Sequence, residues 1–211
     1  DYETDYRALQ QQFEERSATT SALIKTYLEQ YPYTPYSDEI HLMEGVLHAE
    51  KEKYKQAIKA FSKINAKNLS RETQPMLHFY WGYALLKQEN YKKALSYLLR
   101  VKQKESLYTP HARYYAGYCY YCTKDFQNAL AEFLSVQHLA GYQQIVPYYL
   151  VQIDYAQGNY EQVYTRANQL LDTFPDNKHN YELHRMLGEM YYQDSAYNDA
   201  IQHLEEYHTL T

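Results

Sequence analysis

A motif that recurs every 34 to 37 residues constrains the fold of this chain more than any other feature. Each full copy has a glycine, an aromatic residue nine positions later, an alanine twelve positions later and a large apolar residue four positions after the alanine. In the first copy these are Gly45, Tyr54, Ala57 and Phe61. The glycines of the full copies are Gly45, Gly82, Gly117 and Gly188, and a fifth copy has Val151 in the glycine position. Such a period predicts an array of repeated structural units.

Each copy is expected to form two amphipathic helices joined by a short polar turn. Apolar residues recur at helical spacing before the turn, as at Leu77, Trp81 and Leu85. We expect the glycine and the alanine to be small because the two helices approach closely where they cross, and the aromatic residue to cover the turn. Two such helices cannot bury all their apolar surface alone, so the copies must stack on one another.

The composition excludes several other classes of protein. Tyrosine accounts for 28 of the 211 residues, whereas glycine and proline number only 6 each. This aromatic content argues against intrinsic disorder, and the scarcity of glycine and proline argues against a β-sandwich or barrel with many tight turns. No apolar run approaches the roughly 18 residues of a membrane span, and the mean hydropathy is −0.76. The sequence therefore predicts a helical fold without a transmembrane segment.

The motif resembles the tetratricopeptide repeat, whose signature includes Gly-x2-Tyr in the first helix and Ala-x3-Phe in the second. Gly117 and Tyr120, followed by Ala129 and Phe133, match it well. The tryptophan position of the signature holds other residues in every copy, so the match is degenerate there. The resemblance implies an all-α fold, a right-handed α-solenoid or superhelix of five to six helix-turn-helix repeats, with residues 1–211 as a single domain. The units are expected at about 1–36 (degenerate), 38–71, 75–108, 110–143, 144–177 and 181–211.

A narrower resemblance concerns the amino-terminal part of long tetratricopeptide proteins of Bacteroidetes. It is carried by the segments Tyr27–Pro32, Pro35–Glu39 and Gly158–Tyr160. Those proteins are typically exported, so the resemblance slightly favours the periplasm or cell envelope over the cytoplasm. The chain ends at Thr211 on a second helix without a polar capping helix, which predicts that it is a fragment of a longer repeat protein.

The binding surface of such a repeat array is expected on the first helices, whose positions 2, 5, 9 and 12 line the concave groove of the family. In the middle three repeats these positions are mostly aromatic. Tyrosine combines a large contact area, few rotatable bonds and a hydroxyl, which suits the binding of a peptide or partner helix. The predicted groove residues are Phe79, Tyr83, Tyr114, Tyr118, Tyr121, Tyr148 and Tyr155.

Three other interpretations of these aromatic residues stay open. Tight winding of the repeats, or further repeats, would bury the rings. Aromatic clefts also stack on sugar rings, which makes glycan binding an alternative function. The segment could also be a structural spacer of a longer envelope-associated protein. The carboxylate clamp of chaperone-binding relatives is absent, because its Lys and Asn positions hold Leu42 and Val46.

Charge is distributed in blocks along the chain. Residues 51–104 contain 13 Lys and Arg and three Glu, a net charge of +10, although the whole chain carries −5. Lysines spaced four apart predict a basic ridge along a second helix and its neighbour, formed by Lys55, Lys59, Lys63, Lys67, Arg100 and Lys104. A solvated face is the simpler interpretation, and docking of an acidic protein surface or anionic lipid is the other. Nucleic acid is not expected as a partner, because the chain is acidic and has no recognised reading motif.

No residue pattern predicts catalysis, a cofactor or a metal site. Cys119 and Cys122 have CxxC spacing but lie inside a predicted helix, where they are expected to pack rather than react. His41, Glu44 and His48 share a helix face, and they would need a fourth ligand to form a zinc site. Phosphate-binding and nucleophile motifs are missing. The sequence therefore predicts a non-enzymatic binding protein.

Overall fold

The computed structural model describes all residues 1–211 and confirms the all-α fold. It contains twelve α-helices, one short 3-10 helix at Ala66–Asn68 and no strand. The helices are α1 (Tyr2–Glu14), α2 (Thr20–Gln30), α3 (Ser37–Glu50), α4 (Tyr54–Phe61), α5 (Gln74–Lys87), α6 (Tyr91–Val101), α7 (Thr109–Cys122), α8 (Phe126–Val136), α9 (Val146–Ala156), α10 (Tyr160–Thr173), α11 (Asn180–Gln193) and α12 (Tyr197–Leu210). No helix is both long enough and apolar enough to cross a membrane.

The helices follow one another in six pairs, from α1 and α2 to α11 and α12. The chain divides into two compact units, residues 1–119 and residues 120–211. In the first unit α3 packs on α4 and on α5. In the second unit α9 packs on α10 and α11 packs on α12. That the two units form one domain stays a prediction.

A residue with left-handed backbone conformation makes the turn inside every pair. These residues are Arg16, Glu52, Glu89, Lys124, Gly158 and Ser195, with φ between 52° and 74°. The N–H group of the following residue closes the end of the first helix, as Lys53 N–H donates to the His48 carbonyl at 2.8 Å. This six-to-one hydrogen bond is the Schellman motif, which normally selects glycine. Only Gly158 conforms to that preference.

The repeated glycines lie where the two helices of a pair cross. A Cβ atom built on Gly82 would lie 2.8 Å from Leu98 Cγ, and one on Gly188 would lie 2.7 Å from Leu204 Cγ. A Cβ on Gly45 would collide with the ring of Phe61. The predicted close approach is therefore confirmed for these three pairs. The apolar residue four positions after the alanine fills the space beside each glycine. A larger residue in the glycine position would therefore collide with it.

Two histidines meet between α11 and α12 in the second unit. The Nδ1 atoms of His184 and His203 are 2.9 Å apart, and the His203 ring stacks on Tyr191 at a centroid distance of 5.5 Å. A hydrogen bond of this kind needs one neutral ring as the acceptor. Burial lowers the pKa of His184, and burial together with repulsion from His184 lowers the pKa of His203. The carboxylates of Asp199 and Glu206 oppose this effect only in part.

We therefore expect this histidine pair to make the protein acid-sensitive. Because both pKa values lie below those of the unfolded chain, the unfolded state binds more protons as the pH falls below about 6.5. The free energy of unfolding should decrease from about pH 7.5 to about pH 5. His203→Phe keeps a ring against Tyr191 and should make the decrease smaller, whereas substitution of the exposed His208 by Gln should not. Urea unfolding across this pH range is the measurement, and equal slopes for the two variants would contradict the assignment.

Candidate ligand-binding cleft

Aromatic side chains of the first unit line a cleft of about 370 Å³. The side chains come from the end of α3, the turn after it, the beginning of α4, the middle of α5 and the beginning of α7. We call this the unit 1 cleft. Its lining residues are Ala49, Glu50, Glu52, Tyr54, Phe79, Tyr80, Tyr83, Tyr108, His111 and Tyr115.

Phe79 forms the base of the unit 1 cleft. It is only 9% exposed, and its ring is stacked against that of Tyr108 at a centroid distance of 5.2 Å. Tyr83 and Tyr115 meet edge to face at 5.0 Å, and Tyr54 approaches Tyr83 in the same way at 5.9 Å. Offset and edge-to-face contacts are the preferred arrangements of aromatic pairs. The rings therefore hold one another in place before any ligand is present.

A hydrogen bond and burial act on the hydroxyl groups of the tyrosines in the unit 1 cleft. The Tyr80 hydroxyl donates to Glu50 Oε1 at 3.3 Å. Burial raises the pKa of Tyr54 and of Tyr80 to about 12, and nearby hydroxyl or carboxylate groups add to the effect. These tyrosines are therefore neutral at physiological pH.

The two carboxylates of the unit 1 cleft differ in their partners. Glu50 binds Arg16 through two hydrogen bonds of 3.0 Å, from Nε to Oε2 and from Nη2 to Oε1. Glu52 lies in the turn after α3, and its exposed side chain forms no ion pair or hydrogen bond. Its charge nevertheless contributes to raising the pKa of Tyr54 and Tyr83, after the larger effect of burial. The cleft thus has one neutralised carboxylate and one without a counter-ion.

The predicted groove residues of the first unit fall into two places. Phe79 and Tyr83 line the unit 1 cleft. Tyr114 and Tyr118 lie on α7 but are not part of the lining, and both are half-buried. The Tyr114 ring meets Tyr115 edge to face at 5.0 Å, and the Tyr118 ring lies 6.4 Å from Tyr91. Tyr114 therefore continues the aromatic surface of the cleft.

The remaining predicted groove residues, Tyr121, Tyr148 and Tyr155, belong to the second unit. Tyr121 and Tyr148 both contact Tyr149, at centroid distances of 5.2 and 5.5 Å. Tyr148 also stacks on His179 at 4.6 Å. All three tyrosines are half-buried, so their rings are partly accessible and partly packed.

Charged side chains of α11 fix the end of this second aromatic surface. The Tyr155 hydroxyl donates to Glu189 Oε2 at 2.7 Å. Arg185 bridges Glu182 and Glu189 with hydrogen bonds of 2.9 Å to each. Burial raises the pKa of Tyr155, and its hydrogen bond to Glu189 adds to the effect. Tyr155 is thus held against a carboxylate instead of pointing freely into solvent.

Several residues of the unit 1 cleft were not among those predicted from the sequence. Tyr80 and Tyr115 stand one position after predicted groove positions, and Tyr108 precedes α7. Tyr54 was expected to cover a turn, and it lines the cleft as well. The available signal was the neighbouring tyrosine pair at 114 and 115, which suggests that two adjacent positions of one helix contribute to the same surface.

The predicted basic ridge along one helix is wrong in its geometry. Helix α4 ends at Phe61, so only Lys55 and Lys59 lie on it, while Lys63 follows its end and Lys67 lies in the 3-10 helix. Arg100 lies on α6, and Lys104 follows the end of that helix. All six side chains are exposed.

The distant Asp38 accepts two hydrogen bonds that hold the chain after α4 in a turn. Its carboxylate accepts from Asn65 N at 2.8 Å and from Asn68 Nδ2 at 2.7 Å. The Asn65 side chain also accepts from Lys67 N at 3.2 Å, which favours a local turn over another helical turn. Docking of an acidic surface on these basic residues stays a prediction.

The residues considered for metal or redox chemistry have structural contacts. His41 Nδ1 is 3.1 Å from Glu44 Oε2, whereas His48 Nε2 is 4.0 Å from the other oxygen of that carboxylate. No group of three or more His, Cys, Asp or Glu side chains has the arrangement of a metal site. Cys119 is buried and Cys122 half-buried on α7, and they form no disulfide.

Comparisons with known proteins give a consistent family and fold. The tetratricopeptide repeat family profile matches residues 42–108 and 79–143. Similar solved structures include MamA of AMB-1, with a TM-score of 0.67 and 16% identity over 83% of this chain and 99% of that chain. MamA of MSR-1 has a TM-score of 0.68 and 15% identity over 83% and 97% of the two chains. A tetratricopeptide repeat protein from Parabacteroides merdae has a TM-score of 0.68 and 16% identity over 100% and 80%.

A comparison with curated protein sequences found no match. The likeness to solved structures at these identities concerns the fold. Together with the twelve paired helices, these findings define the class as an all-α protein of the α-solenoid type, built from helix-turn-helix repeats. Residues 42–143 match the tetratricopeptide repeat family, and the fold of the chain is similar to that of tetratricopeptide repeat proteins. The chain therefore has a scaffold of the kind on which protein-interaction surfaces are built.

Proposed function

We propose that the chain is a non-enzymatic scaffold that binds a peptide or a partner helix on the tyrosine-rich surfaces of its first helices. The observation that supports this proposal is the unit 1 cleft. Its aromatic side chains on α5, on α7 and just before α7 are already fixed by mutual contacts. Rigid rings with one hydrogen-bonding end provide contact area at a small cost in conformational entropy. Placement in the periplasm or cell envelope is part of the same proposal.

The proposed contacts are the predicted groove residues together with the lining of the unit 1 cleft. Tyr114 adds its ring to the cleft, and Tyr118 lies one helical turn beyond it on α7. Because residues four apart lie on the same face of a helix, these two side chains offer neighbouring contacts to one ligand. Removing both rings should therefore remove a large part of the binding surface without touching Phe79.

The test uses peptides selected from a random twelve-residue library on the wild-type chain. Tyr114→Ala/Tyr118→Ala should weaken the selected peptides at least 30-fold, about 2 kcal/mol, which is the size of a binding hot spot. The control is Tyr33→Ala/Tyr192→Ala, because these two tyrosines are 98% and 63% exposed and lie outside the cleft. Fluorescence anisotropy gives the dissociation constants, and circular dichroism and urea unfolding report whether each variant is folded.

Three outcomes would contradict this proposal. Unchanged affinity in a folded Tyr114→Ala/Tyr118→Ala variant would exclude these rings as the binding surface. Retention on a glycan array that the same double variant abolishes, in the absence of peptide binding, would establish the sugar-binding alternative. A chain that binds neither peptides nor glycans would fit the role of a structural spacer.

A further inference from the structure

We infer that the unit 1 cleft receives a lysine or arginine side chain of the bound partner segment. This inference rests on the proposed function and specifies the chemistry of the ligand at one place. It is carried by the charges that line the cleft, by the aromatic faces beside them and by the positions that cations of the chain itself already occupy.

The lining of the unit 1 cleft contains acidic side chains. Its lining contains the carboxylates of Glu50 and Glu52 and no lysine or arginine. Arg16 neutralises Glu50 through two hydrogen bonds, while Glu52 has no partner. An acidic ligand would meet an uncompensated carboxylate here, whereas a cation would gain a counter-ion.

The basic residues beside Glu52 in the sequence do not neutralise it. Lys51 and Lys53 flank Glu52, and neither forms an ion pair with it. Both charges add to the effect of burial in lowering the pKa of His48. After the larger effect of burial, Glu52 helps to raise the pKa of Tyr54 and Tyr83, and Lys87 opposes it at Tyr54.

The rings of the unit 1 cleft favour a cation as well. The face of an aromatic ring carries partial negative charge and attracts ammonium and guanidinium groups, more strongly where water is displaced. The Nζ atom of Lys87 lies 5.5 Å from the centroid of Tyr83, so this ring already accepts a cation of its own chain. The adjacent rings of Phe79, Tyr108 and Tyr115 provide further faces within the cleft.

The ion pair between Arg16 and Glu50 at the edge of the cleft already has an aromatic ring beside it. The Arg16 guanidinium binds Glu50 and also lies 4.2 Å from the centroid of the Phe13 ring. A carboxylate with an aromatic face beside it thus already holds one cation of this protein. Glu52 beside Tyr54 and Tyr83 repeats the carboxylate and the aromatic faces, while Lys87 lies over the Tyr83 ring and forms no ion pair with Glu52. An incoming lysine or arginine would pair with Glu52, and arginine would in addition stack on the flat rings.

The chain offers a matched control for Glu52. Glu89 occupies the same turn position in the next repeat, has a φ of 59° against 60° for Glu52, and is likewise exposed. It does not line the unit 1 cleft. Substitution by glutamine at either position keeps the size of the side chain and the backbone conformation and removes one negative charge. The two variants therefore differ only in the position from which the charge is removed.

The experiment selects twelve-residue peptides from a complete random library and from a library without lysine and arginine. Peptides from the complete library should share one lysine or arginine. Its replacement by norleucine should weaken binding about 10-fold, as should Glu52→Gln, and the two changes together should cost little more than either alone. Glu89→Gln should leave the affinity within about twofold of the wild type. Urea unfolding of both variants tests that they are folded.

Two results would overturn the inference, and they have different meanings. Peptides without lysine or arginine that bind as tightly, ignore Glu52→Gln and still depend on Tyr114 and Tyr118 would overturn the cationic ligand and leave the peptide-binding function standing. Failure of both libraries to yield any peptide would overturn the proposed function and the inference with it.

Discussion

Replacement of Gly45 by alanine is expected to destabilise the protein by about 3 kcal/mol, the upper part of the range for overpacked sites. The new Cβ would overlap the ring of Phe61, which is fully buried between α3 and α4. A buried ring cannot swing aside as the end of a flexible side chain can, so the helices of the pair would have to separate. The free energy of unfolding measured in urea gives the size of the effect.

Two further variants distinguish steric overlap at position 45 from other causes of lost stability. Gly158→Ala adds the same methyl group where nothing lies within 4 Å, at a φ of 74°, and should cost only about 1 kcal/mol through backbone strain. Phe61→Leu in the Gly45→Ala background reproduces the smaller partner that Gly82 and Gly188 have, and should recover part of the loss. A Gly45→Ala protein as stable as the wild type would show that the helix pair can adjust its spacing.

Removal of the charge of Arg166 is expected to have the second largest effect on stability. Arg166 Nη1 lies 2.9 Å from Asp154 Oδ2, and the aspartate side chain is 9% exposed while that of the arginine is 37% exposed. In Arg166→Met the carboxylate stays buried without its partner, which costs 3–5 kcal/mol for a fully buried pair. Since this pair is partly open to solvent, about 2 kcal/mol is expected.

The opposite substitution should cost less, and this asymmetry is the diagnostic result. Asp154→Asn leaves an arginine that can turn to solvent, so a loss of about 1 kcal/mol or less is expected. The double variant Asp154→Asn/Arg166→Met should be more stable than Arg166→Met alone, because no buried charge remains. Equal losses in the two single variants, measured by urea unfolding, would contradict this account.

The repeat motif made much of the fold predictable. A glycine and an apolar residue sixteen positions apart, such as Gly45 and Phe61, face each other where the two helices of a pair cross. Their spacing in the sequence therefore predicts where the helices come into contact. The helix pairs and their turns follow from the same local pattern. Local patterns could not predict the turn after α4, because Asp38 holds it through hydrogen bonds to residues 27 and 30 positions away.

The candidate site was predictable in part for the same physical reason. Phe79 and Tyr83 were found from their positions on a first helix, where helical periodicity fixes the direction of a side chain. Tyr108 and Glu52 lie in connections between helices, and their place in the cleft depends on how one pair stacks on the next. That stacking results from packing between residues far apart in sequence, which no single repeat contains.

The left-handed turn residues separate two tasks that usually compete within one position. Their backbone conformation and hydrogen bonds close each helix, while their side chains lie outside the core. The same position is therefore a cation in Arg16, which binds the neighbouring Glu50, and an anion in Glu52, which faces the tyrosines. A protein built in this way can vary the charge beside its binding surface from repeat to repeat and leave the packing of its helices unchanged.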